Sequence, residues 1–205
     1  ALQEAGINGN TPDPVGGSIQ RDSAGNPKGI LFENAVNLVE KIIPPPGSAR
    51  LKQSLLAAQH NLHQFGITTV HDFDRIPCFK ALQELDLAGE LTLRVVKGLP
   101  IEQLQEAVNI GLGSGFGSPH LRIGPVKMFA DGALGPQTSA MLLPYEGDDT
   151  NRGTLLLKAE DILEKGILAG RNGLPLAVHA IGDRATQEVL DGFAMLRAHE
   201  EEHSL

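Results

Sequence analysis

The feature that most constrains the fold is a regular alternation of strand-like and helix-like segments after residue 47. Apolar side chains recur with helical spacing over 48–65, and four β-branched or apolar runs follow: ITTVHDFD, LTLRVVKGL, LRIGPVKMF and LPLAVHAIG. A helix is predicted after each run, over 77–88, 100–111, 158–171 and 183–198. Repeated βα units are typical of parallel strands joined by right-handed crossovers. The pattern therefore predicts an α/β fold, either a doubly wound sheet or a (β/α) barrel.

Polar residues at the strand ends favour the barrel. His71 and Asp72 lie near the end of the first run, Lys127 lies in the third with Asp131 just after it, and His179 lies in the fourth. In a barrel, the C-terminal ends of the strands converge on one site. Because four βα units are about half of a closed barrel, we expect a partial (β/α)8 TIM-type barrel.

The first 46 residues have a different pattern. Turn-forming stretches, INGNTPDPVGG, DSAGNPKG and IIPPPGS, separate the short strand-like pieces SIQRD and GILFE. We predict an irregular N-terminal subdomain over 1–46 and the partial barrel over 47–205.

Composition excludes several partners and locations. The chain carries 17 Lys and Arg against 25 Asp and Glu without a basic cluster, which argues against nucleic acid. No apolar run is long enough to cross a membrane. The single cysteine, Cys78, excludes an internal disulfide and indicates a reducing, cytoplasmic compartment. The helix-like start ALQEAGING, without an initiator Met, predicts an excised piece of a longer chain.

Lys127 and His179 are the residues with the most chemical content. A lysine inside an apolar strand must be paired or neutralised, so Lys127 is a lysine with its head in solvent, a Schiff-base lysine of lowered pKa, or a lysine carboxylated by CO2 that bridges metal ions. His179 is either a core histidine bonded to the backbone or a neutral imidazole that ligates a metal. Spacing alone leaves these alternatives open.

These residues lie in motifs that resemble a known family. GITTVHDFD, RIGPVKMFADGALGPQTSAMLLPYEGDDTNRG and LAVHAIGDRATQEVLDGF are similar to the YtcJ-like branch of the amidohydrolase superfamily (amidohydrolase family 3), metal-dependent hydrolases on a (β/α) barrel. The resemblance implies that Lys127 is carboxylated and bridges the metals, and that His179 is a ligand. It also implies a divalent metal, zinc, with one or two ions in the intact enzyme.

The family resemblance carries an expected reaction. It implies that a metal-activated water hydrolyses amide or formamide-type C–N bonds of a small molecule. From their positions at strand ends we expect His71, Asp72, Asp131 and Gly132 to line the substrate mouth. The alternative is a non-catalytic α/β binding or assembly module in which Lys127 and His179 are core residues.

Some family features are missing from these 205 residues. The HxH pair of the first barrel strand, a further His in an IEH-type strand and the general-base Asp are all expected outside this chain, so no catalytic residue is assigned within it. We therefore expect a central fragment that is inactive alone, with Lys127 unmodified. The uncovered strand edges of a half-barrel predict a homodimer.

Overall fold

The computed structural model describes residues 1–203 and divides the chain into two compact units. The first unit consists of Ala1–Pro45, Phe129–Lys158 and Ala180–Leu190. The second consists of Pro46–Met128, Ala159–His179 and the chain from Asp191. The division into a subdomain over 1–46 and a partial barrel over 47–205 stays a prediction.

An antiparallel hairpin organises the N-terminal part of the first unit. Strand β1 (Gly17–Arg21) pairs with β2 (Pro27–Glu33), a short 3-10 helix covers Asn34–Val36, and helix α1 covers Asn37–Glu40. The turn between the strands forms because the Asp22 carboxylate accepts the N–H groups of Ala24 at 2.9 Å and Asn26 at 2.8 Å. A small apolar cluster around Ile7, Ile19 and Ala35 packs beneath the hairpin.

The predicted alternation of strands and helices is confirmed. In chain order the elements are α2 (Ser48–Gln64), β3 (Thr69–Asp72), α3 (Ile76–Leu87), β4 (Arg94–Pro100), a 3-10 helix (Ile101–Gln103), α4 (Leu104–Asn109), β5 (Leu121–Phe129), α5 (Ala159–Gly170), β6 (Leu176–His179) and α6 (Asp183–His203). Among the described helices, none combines the length and apolar character that crossing a membrane requires.

The four later strands form one sheet in the order β3-β4-β5-β6. Strands β3 and β4 are parallel with Asp72 opposite Lys97, and β4 and β5 are parallel with Pro100 opposite Lys127. The order follows the chain, so each strand lies next to its predecessor, as in a barrel. This arrangement confirms the α/β fold class and the partial TIM-type barrel of about four βα units.

One face of the sheet packs on the helices. Val70, Val95, Val126 and Leu176 belong to two apolar clusters that include residues of α2 to α5. Since successive side chains of a strand point to opposite faces, the residues adjacent to these positions lie on the other face. That other face, which we call the inner face, carries His71, Lys127 and His179.

Candidate metal centre

Strand β5 presents Lys127 on the inner face. Its neighbour Val126 is fully buried against the helices, whereas Lys127 is only half-buried. The Lys127 Nζ lies 5.1 Å from the centroid of the Phe73 ring, within the range of a cation–π contact. Burial lowers the pKa of the Lys127 amine below its ordinary value. A larger neutral fraction of the amine follows, and the neutral amine is the form that reacts with CO2.

Strand β6, which ends at His179, lies next to β5 in the sheet. The N–H of Val126 donates to the carbonyl of Pro175 at 2.8 Å, which joins β5 to the chain entering β6. His179 is half-buried and is the last residue of its strand. The two residues predicted as ligands therefore lie on neighbouring strands, on the same face, towards the C-terminal end of the sheet.

The structure separates His71 from Asp72. His71 is exposed on the inner face, and its ring lies 6.2 Å from that of Phe73, at an interplanar angle of 33°. Asp72 lies on the helix-facing side with Val70, and its Oδ2 accepts a hydrogen bond from Lys97 Nζ at 2.6 Å. The substrate-binding roles predicted for both residues stay predictions. The geometry gives Asp72 a structural partner.

Lys97 is the important residue that sequence reasoning missed. Its side chain has no exposed area, and its Nζ also donates to the carbonyl oxygen of Asp74. The signal was available, because Lys97 stands in the apolar run LTLRVVKGL just as Lys127 stands in LRIGPVKMF. The cation fixes the chain after β3 onto β4.

Cys78, on α3, has a strongly perturbed thiol. Its pKa is raised to about 11, chiefly by burial and also by the carboxylates of Asp72 and Asp74, against the opposing effect of Lys97. Relative to a thiol at its ordinary pKa of about 9, the thiolate fraction at pH 8 is about 100-fold smaller.

We therefore expect the native protein to react with DTNB at pH 8 at least about 100-fold more slowly than the unfolded chain, because burial of the sulfur adds to the loss of thiolate. Stopped-flow absorbance with and without denaturant measures both rates. A native rate within tenfold of the unfolded rate would show that this region opens readily.

Asp131 belongs to the first unit and is almost completely buried, with 1% of its surface exposed. Its Oδ2 accepts the N–H groups of Ala140 at 2.9 Å and Gly182 at 2.7 Å, and its Oδ1 accepts the N–H of Ile181 at 3.0 Å. The carboxylate thus ties together two turns that are distant in sequence. The predicted contact of Asp131 with substrate stays a prediction.

Gly132 is required by close packing. A Cβ at this position would lie 2.2 Å from Thr138 Oγ1 and 2.4 Å from Glu33 Oε1. These two groups are bonded to each other, since Thr138 Oγ1 donates to Glu33 Oε1 at 2.5 Å. The hydrogen bond occupies the space that any side chain would need. The predicted substrate-binding role of Gly132 is not tested by this contact.

The two predicted ligands, Lys127 and His179, are of chemical types that zinc binds. An imidazole nitrogen is a preferred zinc ligand, and a lysine carbamate would supply carboxylate-like oxygens. Within residues 1–203, no group of three or more His, Cys, Asp or Glu side chains is placed to hold a metal ion. Lys127 and His179 stay predicted ligands.

Comparison with known proteins gives a consistent result. A family model described as "Amidohydrolase family" matches residues 1–204. "Putative amidohydrolase YtcJ" of Bacillus subtilis (strain 168) is 34% identical over 198 residues, which is 93% of this chain and 37% of the relative. An N-substituted formamide deformylase of Arthrobacter pascens is 27% identical over 208 residues, covering 96% of this chain and 38% of the relative.

A solved structure agrees with these relatives. The crystal structure of an uncharacterized metal-dependent hydrolase from Pyrococcus furiosus superposes with a TM-score of 0.76 at 31% sequence identity. The match covers 96% of this chain and 40% of that structure. The chain thus spans about two fifths of the length of the proteins that it matches.

Proposed function

Since the chain belongs to the amidohydrolase family, we propose that it forms part of a metal-dependent hydrolase in which Lys127 and His179 are metal ligands. One observation carries the proposal: both residues lie on the inner face, at the C-terminal ends of the adjacent strands β5 and β6. That end of the strands is where TIM-barrel enzymes have their active sites.

The two side chains have distinct tasks. His179 contributes a neutral imidazole nitrogen. Lys127 contributes its amine, whose lowered pKa favours attack on CO2 with formation of an N–C bond and release of a proton. The metal, for which we propose one or two zinc ions, supplies Lewis acidity and an activated water when bound.

The name of one relative supports a proposal for the substrate class. We propose a small molecule with an amide or formamide-type C–N bond, because one matched relative is named an N-substituted formamide deformylase. His71 is exposed on the inner face that carries Lys127 and is proposed to contact this molecule. Asp72 is proposed to act indirectly through Lys97, and Asp131 and Gly132 by shaping the chain around them. We assign no catalytic base among residues 1–203.

The test uses the protein expressed from its complete coding sequence. Lys127→Ala and His179→Ala are each expected to lower the rate of hydrolysis across a panel of formamides and amides at least about 100-fold, because loss of a ligand exceeds the 10- to 100-fold effect of outer partners. Lys80→Ala and His120→Ala, at exposed positions, are the matched controls. The isolated 205-residue chain, assayed alongside, is expected to be inactive because two donors hold a metal weakly.

A rescue experiment separates a carbamate from an ordinary lysine. Acetate added with zinc should restore part of the activity of Lys127→Ala, because its carboxylate can replace the carbamate oxygens. A Schiff-base lysine would not be rescued in this way. Full activity in either ligand variant would contradict the proposal.

The edges of the sheet support a homodimer. In the described part of the chain, β3 and β6 each pair with a strand on one side only. Unpaired edge groups favour pairing with another chain. For the isolated 205-residue chain, we expect multi-angle light scattering to give twice the mass of one chain. The mass of one chain at all protein concentrations would contradict the expectation.

A cytoplasmic location is also proposed, because Cys78 is the only cysteine and its thiol is buried.

A further inference from the structure

We propose that Lys97 is a positioning residue for the candidate metal centre, where it clamps the loop after β3 so that Phe73 lies against Lys127. The inference rests on the proposed function of Lys127 and His179 as ligands. It concerns Lys97, a buried cation that is not itself one of the proposed ligands.

The complete burial of Lys97 requires an explanation other than stability. Burial of an ion pair removes two charges from water, and well-packed apolar residues in the same place are often equally stabilising. The Lys97–Asp72 pair is therefore weak evidence for a role in stability alone. In some proteins such buried pairs are retained because they fix one conformation.

Lys97 hydrogen-bonds to the residues on either side of Phe73. Its Nζ bonds to Asp72 Oδ2 at 2.6 Å and also donates to the carbonyl of Asp74. Asp72 stands opposite Lys97 in the β3–β4 register. Because Phe73 lies between the two acceptors, its backbone is held from both sides.

Gly98, the next residue of β4, leaves the space in which the Phe73 ring packs. A Cβ at Gly98 would lie 2.3 Å from Cδ1 and 2.5 Å from Cε1 of Phe73. The ring therefore occupies the space of the absent side chain. Lys97 fixes the backbone of Phe73, and Gly98 admits its ring.

In this position the Phe73 ring lies beside Lys127, one of the two proposed metal ligands, and forms a wall on one side of it. Phe73 remains 40% exposed, so core packing alone does not account for its position. Lys127 Nζ lies over its face at 5.1 Å, and the His71 ring lies 6.2 Å away. A wall on one side limits the conformations of the long Lys127 side chain, and a pre-oriented ligand binds metal more tightly.

Two variants disturb the clamp by independent routes. Lys97→Met combined with Asp72→Leu removes both charges while keeping apolar volume, and Gly98→Ala leaves the ion pair but displaces the ring. Gly113→Ala is the matched control, because the atom nearest to a Cβ there is 3.8 Å away. Circular dichroism establishes which variants fold, and each folded clamp variant decides the question by itself.

Two readouts report on the clamp in the protein expressed from its complete coding sequence. The first is the NMR shift of the Lys127 ε-CH2 group in selectively labelled protein, assigned with Lys127→Arg. The ring current of Phe73 should displace this signal, and Phe73→Leu should abolish the displacement. The second is zinc affinity, measured by competition with a chromogenic chelator.

We expect each folded clamp variant to lose the displaced signal and to bind zinc about tenfold more weakly. Mutation of a residue that orients a metal ligand typically lowers metal affinity by roughly 10- to 100-fold, and we take the low end of that range. Gly113→Ala should match the wild type. A folded clamp variant with unchanged signal and affinity overturns the inference, and if Lys127→Ala still weakens zinc binding, the proposed function survives. If Lys127→Ala leaves zinc affinity unchanged, the proposed function fails and the inference fails with it.

Discussion

Replacement of Asp72 by leucine is expected to lower the free energy of unfolding by about 3 kcal/mol, because it leaves the buried Lys97 without its carboxylate partner. Removal of one member of a buried pair typically costs roughly 3–5 kcal/mol. We take the low end because the Asp72 side chain keeps 20% of its surface exposed, whereas that of Lys97 keeps none.

The reverse change is expected to be milder. Lys97→Met leaves Asp72, which can still reach water, so a loss of roughly 1–2 kcal/mol is expected. The double variant Asp72→Leu/Lys97→Met should return to within about 1 kcal/mol of the wild type, because it leaves no unpaired charge. Urea unfolding of the four proteins gives the coupling energy. Additive effects of the two single changes would show that the ion pair does not exist.

Replacement of Asp131 by alanine is expected to lower the free energy of unfolding by about 4 kcal/mol. The N–H groups of Ala140, Ile181 and Gly182 would all lose their hydrogen-bond acceptor. Each bond to a charged group contributes roughly 1.5–3 kcal/mol, and the three are not additive. This substitution is the second large effect that the structure predicts.

The isosteric change gives a sharper test of the Asp131 geometry. Asp131→Asn can keep one oxygen at the Oδ2 position, with its two bonds, but then its amide faces the N–H of Ile181 as a second donor. We expect Asp131→Asn to lower the free energy of unfolding by about 2 kcal/mol, half the effect of Asp131→Ala. Exposed Asp149→Asn is the control and should change stability by less than about 0.5 kcal/mol. Equal stability of Asp131→Ala and the wild type in urea would contradict the assigned network.

The fold could be predicted because its signals are local. The spacing of apolar residues within each segment identifies the helices and strands, and their order identifies parallel pairing. The ends of β5 and α2 lie within about one residue of the predicted ends. The division into two units depends on contacts between distant segments, so no local pattern reports it.

The site could be predicted only in part. Alternation along a strand would have separated His71 from Asp72, because adjacent residues face opposite sides. The partner of Asp72 depends on the register between β3 and β4, which a single strand does not encode. Asp131 was expected at a substrate mouth, but its partners Ile181 and Gly182 lie about 50 residues away and contribute only backbone groups that sequence does not distinguish.

The central claim is that Lys127 and His179 hold a metal ion, and the zinc content of the protein expressed from its complete coding sequence tests it most directly. Elemental analysis after purification without chelators should give one or two zinc ions per wild-type chain. In Lys127→Ala and His179→Ala the content should fall at least about tenfold, with Lys80→Ala and His120→Ala unchanged. A zinc content in both ligand variants equal to that of the wild type would contradict the account.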